Sequence, residues 1–196
     1  MTGKDTKNLV TEAKDHLVGA IRGMGDITGA LTDAVSDTVV HTLRGTRAVG
    51  AELLSLVVGT TTGAVHGVAE VGGEVGSAAR SIMVGTLHGT KAVGTAGVET
   101  VMTTASALVK GASDVGGDVA DTAKGAVEGA IVSARDIGVS AEDAASAAAT
   151  GAVQAAGDIS ATALNQVRNV LTRSISGVKV VVKEPFRPTK ETARKG

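Results

Sequence analysis

The chain of 196 residues contains no cysteine, no tryptophan, no tyrosine and a single phenylalanine. Each absence closes off a class of structure or chemistry. Without cysteine there is no disulfide, thiolate nucleophile or thiolate zinc site, and the lack fits a reducing compartment. Without aromatics the interior loses the side chains that bury the largest area each. Any core must therefore be assembled from aliphatic residues around 27 glycines. Proline occurs twice, at Pro185 and Pro188, so no imino ring interrupts a helix before that point. Long apolar runs are scarce too. The least polar stretch, 53–69 (LLSLVVGTTTGAVHGVA), lacks Asp, Glu, Lys and Arg. Glycine and threonine break it, and it sits at the short end of the ~17–25 residues that span a bilayer. The opening MTGKDTKNLV has no signal-peptide apolar block, and its glycine is third, which does not fit myristoylation. The expected setting is cytoplasmic, at most peripheral to a membrane.

Mean hydropathy is +0.22, above that of polar, disordered chains. Charge is unevenly placed. Residues 9–182 hold 12 Lys/Arg and 17 Asp/Glu, a net of −5, whereas Lys183, Arg187, Lys190, Arg194 and Lys195 against Glu184 and Glu191 give the last 14 residues a net of +3. An acidic body does not neutralise phosphates, so nucleic acid is excluded as a partner of it.

The sequence repeats itself. TLRGTRAVG at 42–50 returns as TLHGTKAVG at 86–94, identical at seven of nine positions and 44 residues on. The same step leads to AIVSARDIG at 130–138 and SISGVKVVV at 174–182. It lines up an aliphatic ladder of Leu43, Leu87, Ile131 and Ile175, and a basic ladder of Arg47, Lys91, Arg135 and Lys179. Half a repeat away, AIRGMGDIT, AVHGVAEVG, LVKGASDVG and AVQAAGDIS carry the acidic ladder Asp26, Glu70, Asp114 and Asp158. Another basic ladder joins Arg80, Lys124 and Arg168. Forty-four is four elevens. Small or apolar residues recur at 57, 61, 64, 68, 71, 75, 79, 82, 86, 90, 93, 97 and 101, and the stripe then runs on to Val167, interrupted by Thr61, Thr86 and Thr90. The step averages ~3.67 residues, the eleven-residue helical period that keeps one face aligned with slight right-handed supercoiling. Strands would alternate with period two.

These patterns predict an all-α chain. A short flexible N-terminus (1–8) precedes a helical repeat region (9–177), and a basic, proline-containing tail (178–196) follows. A continuous amphipathic helix, kinked at most at glycine pairs, would reach on the order of 250 Å at ~1.5 Å per residue. Hairpins at VGGEVG (71–76) and VGGDVA (115–120) are the alternative, less favoured because the stripe keeps its phase through both. Each glycine inside a helix costs roughly 1 kcal/mol relative to alanine, so a lone helix would be weak and its stripe needs a cover. Glycines spaced by four point to helix-on-helix packing: Gly19/Gly23, Gly25/Gly29, Gly59/Gly63/Gly67, Gly72/Gly76, Gly85/Gly89 and Gly125/Gly129. Such rows flatten a helix face and admit a second backbone. The fold class expected is thus a hendecad-repeat helix in an oligomeric bundle or tube, straight or right-handed. The basic ladder would pair with the acidic one between staggered helices and set register.

Catalytic and metal chemistry find no foothold. His16, His41, His66 and His88 form no ligand pair, and GTTTG and GGEVG lack the Gly-Lys-Ser/Thr ending of a phosphate loop. No cofactor is expected. Beyond the helix, Phe186 and Arg187 in KEPFRPTKETARKG are candidate docking residues for an acidic protein partner or an anionic surface, and VKVVV (178–182) suits either a last helical turn or a strand added to a partner.

GAVHGVAEVGGEVGSAA (63–79) and GTKAVGTAGVE (89–99) resemble the eleven-residue repeats of the synuclein and perilipin class. That resemblance, in period and in its Val/Gly/Thr/Ala diet, implies a long amphipathic helix lying on a membrane or lipid droplet. The chain departs from the class in its sparse lysines, its acidic body and its dense glycine rows. The expected role is therefore a non-enzymatic structural scaffold that self-assembles into a bundle, tube or membrane-associated stalk. The alternative is a lipid-surface coat that folds on binding. An ice-binding helix is a weaker one, because threonine does not recur strictly every eleven residues.

Overall fold

The computed structural model describes residues 8, 10–15, 18–19, 27–45, 50–172, 175, 177–178 and 180. They are all-helical apart from an isolated bridge between Ile175 and Val178. The helices are α1 (10–15 and 18–19), α2 (Ile27–Gly45), α3 (Ala51–Glu70), α4 (Val75–Ala92), α5 (Val98–Asp114), α6 (Val119–Ser133), α7 (Ala141–Ile159) and α8 (Ala161–Leu171). The all-α expectation therefore holds. The single continuous rod does not. The chain breaks every 22 residues, and hairpins form at both glycine pairs named above.

Glycine makes the breaks. Gly50, Gly72, Gly94, Gly116 and Gly138 all have positive φ, between 61° and 78°, where a side chain would meet the following carbonyl. Four of them close the same C-terminal cap. At the end of α3, the Gly72 N–H donates to the Ala69 carbonyl (3.0 Å) and the Gly73 N–H to the Val68 carbonyl (2.9 Å). Gly94 with Thr95, Gly116 with Gly117, and Gly138 with Val139 repeat this paired bond at α4, α5 and α6. It is the Schellman arrangement, which satisfies carbonyls that the helix end leaves open. The next helix starts on a polar cap where one is available. Asp118 accepts from the Ala120 and Asp121 N–H groups, Ser140 from Asp143, and Ser160 from Ala163.

Short turns fold each helix back on the one before, and the most extensive contacts join second neighbours: α4 with α6, α5 with α7, and α2 with α4. Two layers result. Layer A holds α2, α4, α6 and α8; layer B holds α1, α3, α5 and α7. Within a layer the helices run parallel, since Gly85 lies over Thr32 and Val35 while Gly89, one turn on, lies over Ser36 and Val39. Forty-four residues are thus one helix in each layer plus two turns, and a residue meets the same surroundings once per 44.

The apolar stripe is the core. From Val57 to Val167 its positions are buried wherever they fall inside a helix and half-buried at or beside the turns, as at Val71, Val93, Val115, Ile137 and Ile159. Ile82, Leu87 and Leu108 are fully enclosed, each burial contributing roughly 1.5–3 kcal/mol. Threonines enter the core by bonding backwards. Thr90 Oγ1 donates to the Thr86 carbonyl (3.0 Å), Thr104 to Thr100 (2.8 Å) and Thr150 to Ser146 (2.7 Å). The cover that the stripe requires comes from the chain's own second layer. At the N-terminal end of layer A the outer positions of α2 are polar and exposed: Asp33, Asp37, His41 and Arg44. Where α4 carries Ser81 and Gly85, α2 has Asp37 and His41, an ending suited to a stack that goes no further.

The turn glycines and the helical ones respond oppositely to a methyl group. Gly116→Ala is expected to lower unfolding free energy by about 1–2 kcal/mol through its positive φ. Gly157→Ala, inside α7, where an added Cβ would make only an ordinary 3.9 Å contact with Leu164 Cδ1, should raise it by roughly 0.5–1 kcal/mol. Urea denaturation followed by circular dichroism reads both.

Candidate functional site

The glycine rows sit where two backbones touch. A Cβ built on Gly85 would lie 2.5 Å from the Thr32 carbonyl oxygen, one on Gly89 2.7 Å from Val39 Cβ, one on Gly125 2.9 Å from the Gly76 oxygen, and one on Gly129 2.7 Å from the Arg80 oxygen. Layer B repeats the seam. A Cβ on Gly63 would stand 2.6 Å from the Val10 oxygen, one on Gly151 would strike the Met102 carbonyl, and Ala107 occupies the corresponding place between them in sequence. Gly76 faces Asp121 Cβ at 2.8 Å in the same sense. Gly59 and Gly67 are buried in α3. Gly72 belongs elsewhere: it shapes a turn at φ 76° with nothing within 4 Å. The rows therefore join helices of one chain, not the separate copies that sequence reasoning invoked. Gly23 and Gly25 lie outside the described residues.

Of the aliphatic ladder, Leu43, Leu87 and Ile175 are buried and Ile131 is half-buried against the core. Glu70, at the end of α3, accepts from Lys14 Nζ at 2.8 Å, and Asp158 near the end of α7 pairs with Lys110 at 2.9 Å. Neither lysine belongs to a basic ladder. Among the described residues, Lys91 and Arg135 stand at the C-terminal ends of layer A, and Glu70, Asp114 and Asp158 at those of layer B, at opposite edges. Lys91 stands in the last turn of α4 and Arg135 just beyond α6, both exposed, where a cation complements the helix dipole. Asp114, the last residue of α5, is also exposed. The hydrogen bond that Lys14 donates to Glu70, then the charge of Glu70, holds the Lys14 ammonium above its ordinary pKa. Asp26, Arg47, Lys179, Phe186 and Arg187 lie outside the described residues.

Histidines serve the surface more than any site. His41 is exposed, and His88 Nε2 lies 3.2 Å from Asp136 Oδ2 with both side chains about half exposed. His66 is half-buried on α3, and its Nε2 has no hydrogen-bond partner among the described residues. A shallow groove of about 370 Å³ opens between the turns at 72–77 and 115–118, with Glu74, Asp118 and Asp121 on its rim. Among the described residues no three His, Asp or Glu side chains converge as a metal site would require. No described helix is long and apolar enough to cross a membrane.

The two layers differ in charge, which the linear sequence hides. Layer-B helices α3, α5 and α7 carry Glu52, Glu70, Glu99, Asp114, Glu142, Asp143 and Asp158 against Lys110, a net of −6. Layer-A helices α2, α4, α6 and α8 carry Asp33, Asp37, Asp121 and Glu128 against Arg44, Arg80, Lys91, Lys124 and Arg168, a net of +1. The signal was present in the ladders, once each is assigned to its layer.

No protein-family model matches the chain, and no curated protein or solved structure does either.

The seams set a sharp size limit. Gly85→Val and Gly129→Val should each destabilise by about 3 kcal/mol or unfold the chain, since the added atoms meet carbonyl oxygens rather than flexible side-chain ends. Gly19→Val, where a Cβ meets nothing within 4 Å, should stay within about 1 kcal/mol of the parent. Thermal melts of the three variants make the comparison.

Proposed function

We propose that the chain is a non-enzymatic structural scaffold, a stack of 22-residue helical units whose copies assemble further. The observation that carries this reading is the repetition of one contact. The glycine-on-carbonyl seam recurs down both layers, so the sequence is committed to building a regular object rather than to shaping one cavity. Most of the described carboxylates and histidines are exposed, which suits a surface that meets other surfaces. Such a stack is a rigid spacer with two broad faces of different charge. The basic tail is its natural point of attachment to an acidic protein partner or an anionic membrane.

A second reading has one specific observation in its favour. The stripe keeps its ~3.67-residue period across the turns, so Val71, Val93, Val115 and Ile137 would stay on the apolar face if those turns wound into helix. A chain opened in that way would suit a lipid-surface coat. The acidic layer B weighs against an anionic bilayer as its target.

Circular dichroism with light scattering, in buffer alone and with neutral or anionic liposomes, separates the two. The scaffold reading expects high helicity and a cooperative melt without lipid, both unchanged by liposomes. A chain that is unstructured in buffer and becomes helical on liposomes would transfer the function to the coat.

A further inference from the structure

The repeat leaves rows of charge on the outside of the stack as well as an apolar stripe within it. Arg80, Lys124 and Arg168 place one exposed cation on each of α4, α6 and α8, three successive helices of layer A. Glu70, Asp114 and Asp158 place one exposed carboxylate on each of α3, α5 and α7, three successive helices of layer B. Both rows arise from the same stacking of parallel helices. Each therefore advances by one interhelix distance, about 8–10 Å. Two rows with the same step can match along their whole length, where unrelated charged surfaces meet at one or two points.

Three further features direct a second copy to these faces. Helices α3, α5 and α7 of layer B have a net charge of −6, and α2, α4, α6 and α8 of layer A have +1. The end of layer A carries Asp37 and His41 where α4 has Ser81 and Gly85, which disfavours growth by adding helices there. The acidic row also stays open to solvent. Glu70 and Asp158 hold Lys14 and Lys110, yet their side chains remain 45% and 67% exposed.

We propose that copies of this chain associate face to face, the Arg80–Lys124–Arg168 row of one lying along the Glu70–Asp114–Asp158 row of the next. The proposal rests on the scaffold reading and gives it a contact. Because the two faces differ, the contact is heterologous, so each copy offers one row to the copy before it and the other to the copy after it, and assembly can exceed a dimer. Being made of exposed ion pairs, it holds at low ionic strength and fades as salt shortens the screening length to a few ångströms.

The test is sedimentation velocity on the full chain and two charge-reversed forms, Arg80→Glu with Lys124→Glu, and Asp114→Lys with Asp158→Lys. All four positions are exposed, and circular dichroism checks that each form keeps its helicity. The parent chain should show sedimentation coefficients that rise with concentration in about 0.02 M salt and fall to a single slow species in about 0.5 M. Either reversed form alone should remain the slow species in low salt, its two faces now sharing one sign. Mixed in equal amounts, the two should regain the fast species, because each face again meets its opposite. Parent assembly that both reversed forms retain would overturn this contact while leaving self-assembly standing. A folded parent chain that stays single at low salt and high concentration would remove both the contact and self-assembly.

Discussion

Everything in this molecule depends on how closely two helical backbones can approach. With almost no aromatic side chains to fill space, the chain gains its packing contacts by bringing helices together until a glycine Cα rests against a carbonyl oxygen. At Gly85 and Gly129 even a methyl group would overlap its neighbour. That close approach turns an intrinsically poor helix former into an asset, because the conformational entropy lost at glycine is offset by dispersion contacts along the whole helix. Alanine extends the same solution. In α7 the run from Ala144 to Val153 is buried throughout, which small side chains permit on all sides of one helix.

Much of this was legible in the sequence. The helical class is one such feature, and the glycines at 85/89 and 125/129 stand at close contacts between helices. Chain reversal is where the reading failed, for an identifiable reason. A stripe in unbroken phase looks like an unbroken helix, yet 22 residues are six turns at that period, so a reversal at every twenty-second residue leaves the count intact. The overlooked signal was the dipeptide Val-Gly or Ile-Gly at 49–50, 71–72, 93–94, 115–116 and 137–138. A β-branched residue followed by glycine at a fixed interval marks a helix stop that periodicity alone does not reveal. Once the reversals are known, the cover for the stripe follows from the chain itself.

The charge ladders teach a related lesson. Read on a line, basic and acidic residues 44 apart suggest partners. Read on the stack, Lys91 and Arg135 mark the helix ends of one layer, and Asp114 and Asp158 those of the other. Their recurrence then has two local causes. Cations suit the C-terminal end of a helix, whereas the carboxylates there oppose its dipole and find lysines, as Glu70 finds Lys14. The difference in charge between the faces is a by-product that no count along the chain would display.

Because each helix from α2 to α8 touches only its first and second neighbours, the structure has no keystone. Mechanical tension applied between its ends would meet a series of like joints, each shared by units close in sequence. Loss of an end helix would leave the remainder nearly as well packed as before. Such a body should lengthen under load in successive increments, each releasing on the order of 70 Å of contour from a 22-residue unit. It would also take up that slack again when the load is removed.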